Sequence, residues 1–217
     1  MRPLLAARVH HLAPMNARAL VIALAAPISL LVAQPASVDC SRRTVEDYTP
    51  ITRTERAANY VRSLTGPHAY LYAGVLAGYD QLRNHPKEWG QGSLGFERRF
   101  GNDFATHIIT TTLQHGFALG LGEDNRYFSS GEHGFGHRLA YALTSPLLAR
   151  HADGSRSVSI SALGGVAGGS LIEQVWQPRR TARMSNAARS FGLTFAFRAG
   201  LDFAREFAPR AFGAFLR

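Results

Sequence analysis

Ser190-Phe-Gly-Leu-Thr-Phe-Ala-Phe-Arg-Ala-Gly-Leu-Asp-Phe203 admits two opposed readings, and the fold follows from the choice between them. From Phe191 to Phe203 apolar residues alternate with small or polar ones, the period of two of a tilted outer-membrane strand. The same stretch sets Gly192, Ala196 and Gly200 four residues apart, a small-residue stripe that lets helix backbones approach closely. Leu113 to Leu121 alternates in the same way and also carries Gly116 and Gly120 at that spacing. A closed barrel requires every strand to alternate. Tyr70-Leu71-Tyr72, Val75-Leu76 and Leu163-Gly164-Gly165-Val166 break the period. Gly-x-x-x-Gly pairs recur instead at Gly74 and Gly78, at Gly164 and Gly168, and at Gly165 and Gly169. In water an interior glycine costs a helix about 0.5–1 kcal/mol relative to alanine, so helices built this way must recover that loss in packing.

Outward from these runs, Thr52-Arg-Thr-Glu55 has the capping-box form and precedes Ala57, Ala58, Tyr60, Val61 and Leu64 at helical spacing. Gly66-Pro67 ends one helix and opens the next. Further segments are expected from about Leu94 to Leu121, Phe135 to Ala149, Val158 to Trp176, and Ser185 to about Phe215. The expected fold is therefore all-α, a bundle of about five or six small-residue-rich helices in contact with membrane. A small antiparallel outer-membrane β-barrel is the alternative. Helix-packing positions are assigned to Gly74, Gly78, Gly116, Gly120, Gly164, Gly168, Gly192 and Gly200.

The amino terminus carries Arg2, Arg8 and Arg18 without an acid, then the uncharged run Ala19 to Ala33 interrupted by Pro27. This is the pattern of a secretory signal over residues 1–33, with translation starting at Met1 or Met15. Residues 34–50 read as a flexible leader and 51–217 as a single helical domain. Cys40 follows Asp39 where a lipobox needs a small residue, and a lone cysteine excludes an internal disulfide framework. Of 24 basic residues three lie in the signal, so 21 face 15 acids and the mature chain carries about +6. Lys87 is the only lysine. Guanidinium binds phosphate bidentately, which directs Arg179, Arg180 and Arg183 to lipid headgroups. Export argues against nucleic acid as a partner. The expected location is the periplasm, an envelope membrane or the outer membrane, with membrane lipids, itself or other envelope proteins as partners.

Few residues invite chemistry. Glu123 and Asp124, directly after an apolar run, could do acid/base work if burial separated their affinities for protons. His133-Gly-Phe-Gly-His137 has the four-residue spacing of a zinc helix but glycines between the imidazoles and no glutamate in the motif position. No phosphate loop, dinucleotide fingerprint or Gly-x-Ser-x-Gly nucleophile turn is present, and neither metal nor cofactor is expected.

His85-Pro-Lys-Glu-Trp-Gly-Gln-Gly92, Gly122-Glu-Asp-Asn-Arg-Tyr-Phe128 and Asp202-Phe-Ala-Arg-Glu-Phe-Ala-Pro209 resemble motifs of an uncharacterised group of exported bacterial proteins. That resemblance implies export and supplies no activity, cofactor or site residue. The expected function is that of an exported, membrane-associated envelope protein with a structural or interaction role. An envelope hydrolase using Glu123, Asp124, His133 and His137 is the second reading, and the barrel the third.

Overall fold

The computed structural model describes residue 45 and residues 48–209. Residues 1–33, expected to be a signal, and most of the expected leader 34–50 lie outside the described residues. Helix α1 (Arg53–Thr65) starts at a capping box, in which the Thr52 hydroxyl accepts the Glu55 amide and the Glu55 carboxylate accepts the Thr52 amide. Pro67 then opens α2 (Pro67–Arg83) at the position where a missing N–H costs nothing. After a short 3-10 turn at Lys87–Trp89, α3 (Gly92–Leu121) runs for 30 residues and stops at Gly122, whose φ of 69° lies in the left-handed region.

Helix α4 (Phe135–Thr144) is shorter than its sequence pattern suggests. A 3-10 turn containing Pro146 ends it, and the chain extends into β1 (Leu148–Arg150), paired antiparallel with β2 (Arg156–Val158). Helix α5 (Ile160–Glu173) follows, N-capped by the Ser159 hydroxyl, and α6 (Met184–Phe207) closes the described chain. The molecule is mostly helical. This hairpin is the sole sheet among the described residues, so the barrel alternative does not hold for them.

Both alternating stretches are helical, within α3 and α6. The reason is visible in α6. The tilted rings of Phe191 and Phe195 lie 4.9 Å apart and those of Phe203 and Phe207 4.7 Å apart, pairs four residues apart that a helix brings together and a strand would separate. Ala187, Thr194 and Leu201, seven apart, form its buried seam.

The tightest packing joins α3 to α5. A Cβ placed on Gly165 would lie 2.7 Å from Gln114 Cβ and 2.8 Å from the Gln114 Cα, and one on Gly168 would lie 2.8 Å from Leu113 Cδ1. A Cβ on Gly164 would lie 3.3 Å from the Phe117 ring, and one on Gly169 would overlap the Thr110 hydroxyl. At Gly165 and Gly169 only hydrogen fits, because the facing backbone of Gln114 and Thr110 is itself in the way. The assignment of Gly74, Gly78, Gly116, Gly120, Gly192 and Gly200 to helix packing needs correction for the described residues, because nothing lies within 4 Å of a Cβ at any of them. They lie on outward faces of α2, α3 and α6. Helix α2 makes its own close contact with alanine instead, burying Ala69, Ala73 and Ala77 together with Tyr72 and Leu76.

Candidate functional site

Glu123 is 2% exposed and its carboxylate sits over the first turn of α5. One oxygen accepts the Ile160 amide at 3.0 Å; the other accepts the Ser161 amide at 3.0 Å and the hydroxyls of Ser161 and Ser159 at 2.6 and 2.9 Å. Burial on its own would raise its affinity for a proton. The Ser161, Ser159 and Ile160 donors outweigh that and hold the carboxyl below its ordinary value. A carboxylate at a helix N-terminus also answers the helix dipole. Asp124 is buried beside it, gripped by the Arg126 guanidinium at 2.7–3.0 Å, while its backbone bridges to Arg150. His133 and His137 are exposed, one in the loop and one on α4. Among the described residues no group of three metal-ligating side chains is placed to hold an ion. Arg179, Arg180 and Arg183 are exposed on the link between α5 and α6.

The densest polar cluster lies elsewhere, where α2, α3, α5 and α6 converge at one end of the bundle. A cavity of about 10 Å³ there is lined by Asp80, His85, Asp103, Glu173, Gln177 and Arg189, with apolar walls from Leu76 and Leu193. Such a volume holds one water-sized group. The Arg189 guanidinium reaches across from α6 to both carboxylate oxygens of Asp80 on α2. Glu173, at the end of α5, accepts from Asn102 at 2.9 Å, Gln177 at 2.7 Å and Ser190 at 2.6 Å. The Asn102 amide group also donates to Asp103 Oδ1 at 3.1 Å, and its carbonyl oxygen accepts the Trp176 indole N–H at 2.9 Å and the Gln177 amide at 3.0 Å.

Two acceptors in this ring have no partner. Asp103 Oδ2 and Gln177 Oε1 are fully buried and unsatisfied. Burial and the neighbouring Asp80 and Glu173 carboxylates push the Asp103 carboxyl well above the usual carboxylate range, against the pull of Asn102 and Arg189.

The floor of the site is set by Arg99, which is 1% exposed. Its guanidinium donates to the carbonyls of His85, Pro86 and Gly90 at 2.8–3.0 Å and to Gln81 Oε1 at 2.6 Å. One buried cation therefore folds the α2–α3 link over the cluster. His85 Nε2 lies 2.9 Å from Asn186 Oδ1, which ties the same link to α6.

Sequence reasoning missed Asp80, Asp103, Glu173, Gln177 and Arg189. A usable signal was present for the acids. Asp80 is the sole charge between Pro67 and Leu82, Asp103 is the last before a charge-free run to Gly122, and Glu173 is the sole charge between Val158 and Pro178. A lone acid inside an apolar run needs a partner, and here the three acids meet. Asp202 and Glu206 are buried, and Glu206 accepts from Tyr127, Ser130 and Arg138.

Comparison with family models, with curated proteins and with solved structures finds no match.

Proposed function

We propose that this is an exported, membrane-associated envelope protein that lies against a lipid surface and has a structural or interaction role there. The observation that supports this is the distribution of polarity. Among the described residues, polar and charged side chains outnumber apolar ones in the buried interior, and they are tied into hydrogen-bonded clusters around Asp103, Glu123 and Glu206. Large apolar side chains stand outside. Leu82 is 88% exposed, Val175 84% and Met184 72%. Val75, Tyr79 and Leu82 share one uncovered face of α2 with Gly74 and Gly78, and Leu119 does so on α3 with Gly116 and Gly120. Water penalises such an exterior at about 25 cal/mol for each Å² of apolar surface, whereas a lipid surface accepts it.

No helix among the described residues is long and apolar enough to cross a membrane. The proposed attachment is thus lateral, with apolar faces in the headgroup–acyl boundary and arginines toward phosphate. The four residues of the hydrolase reading have other surroundings, since Glu123 and Asp124 are saturated by structural donors and both histidines are exposed.

Flotation of the processed full chain with anionic vesicles tests the proposal. Co-flotation that survives high salt is expected, because apolar contact is not screened. Recovery as a soluble monomer without detergent would overturn it.

A further inference from the structure

The cavity between α2, α3, α5 and α6 constrains its guest in three ways. Its two unpartnered buried groups, Asp103 Oδ2 and Gln177 Oε1, are both acceptors, so the guest has to donate hydrogen bonds. Its volume of about 10 Å³ admits one group the size of a water molecule. Its charge is negative when all groups are ionised, because the three carboxylates of Asp80, Asp103 and Glu173 outnumber the two guanidiniums, Arg189 in the lining and Arg99 beneath it. A bare Ca²⁺ or Mg²⁺ would want six or more oxygens, and only two are free. A primary ammonium carries three N–H donors and one positive charge within that volume.

We propose that this cavity receives the primary ammonium group of a phosphoethanolamine lipid headgroup, whose phosphate is met by the exposed Arg179, Arg180 and Arg183 on the adjoining α5–α6 link. The assignment to a lipid rests on the membrane reading above. Its support on the surface is that Gln177, which lines the cavity, belongs to the same link between α5 and α6 as the three arginines. A quaternary trimethylammonium group is excluded on two counts, since it has no N–H and is several times too large. With the cavity empty, burial and the neighbouring Asp80 and Glu173 carboxylates favour the protonated form of Asp103. Binding therefore strengthens with rising pH, under the influence of the groups facing Asp103: Asp80 on α2, His85 on the link, Arg99 on α3, Glu173 on α5 and Arg189 on α6.

The test uses the full processed chain and two vesicle compositions with equal anionic lipid, one completed with phosphatidylethanolamine and the other with phosphatidylcholine. One charge-assisted hydrogen bond corresponds to about a tenfold preference for the ethanolamine vesicles, and Asp103→Asn is expected to abolish it. In detergent, methylammonium chloride is expected to raise the melting temperature and tetramethylammonium chloride at the same ionic strength to leave it unchanged. This second measurement needs no variant, so it stands even if Asp103→Asn does not fold. Equal affinity for both vesicles with no methylammonium effect would overturn the inference. A methylammonium effect without vesicle preference would reject the lipid source and assign the cavity to a soluble primary amine. Binding to neither vesicle would refute the membrane reading alone, leaving the methylammonium shift to decide the cavity.

Discussion

Replacing Gly165 by alanine separates the glycines that pack from those that only look as though they do. In a helix interior the substitution by itself stabilises by about 1 kcal/mol, because alanine loses less backbone freedom on folding. At Gly165 the added methyl would lie 2.8 Å from the Gln114 N and Cα, so the obstacle is backbone and no rotamer change relieves it. Helices α3 and α5 would have to separate along their closest contact. Overpacking of this kind costs about 1–3 kcal/mol, and a backbone neighbour places the site at the upper end. The expected net loss is about 2 kcal/mol. Gly116→Ala and Gly120→Ala provide the comparison within the same protein, because nothing among the described residues lies within 4 Å of either Cβ. Each is expected to stabilise by about 0.5–1 kcal/mol. Urea titration of the three variants in one detergent, followed by far-ultraviolet circular dichroism, measures all of them on one scale. A Gly165→Ala variant within about 0.5 kcal/mol of the parent protein would refute the account of the α3–α5 contact.

Two further predictions concern buried charge. Glu123→Gln keeps the side-chain size but turns an NH2 group toward a set of donors, so a loss of about 2–3 kcal/mol is expected in the same titration; an unchanged midpoint would contradict the capping role. The pH dependence of stability has opposing parts. Burial raises the Asp202 carboxyl to about 6, above its unfolded value, so its contribution falls as pH rises from about 4 to about 6, and Asp202→Asn is expected to flatten that fall. Burial also lowers His107 to about 4 and His68 to about 3, so their contribution is complete above about 6.5 and is lost as pH falls toward those values. Removing His107 should therefore make the protein less sensitive to acid, which thermal melts between pH 4 and 7 would show. The same substitution removes the bond from His107 Nε2–H to the Ser63 carbonyl at 2.8 Å, so the variant is expected to be less stable at pH 7.

Local chemistry was legible in the residues themselves. The capping box at Thr52 and Glu55, the Gly66-Pro67 junction and the helical character of the small-residue runs depend on neighbours within about one helical turn, and those neighbours are written in order along the chain. The β1–β2 hairpin was not, because Pro146 only forbids helix and pairing of Leu148 with Val158 is a choice made across a turn. Glycine spacing was ambiguous for the same reason. Gly116 with Gly120 and Gly165 with Gly169 read identically, yet only the second pair meets another helix, and that depends on which faces α3 and α5 turn toward each other. The acidic cavity belongs wholly to tertiary structure. Asp80 meets Arg189 across 109 positions and Asn102 meets Glu173 across 71, and no periodicity encodes such separations. What the sequence determined alone was that isolated acids in apolar runs must find partners, because a buried charge without one is costly. Which partners they found, and that two acceptors were left facing one small space, was decided only when four helices were packed together.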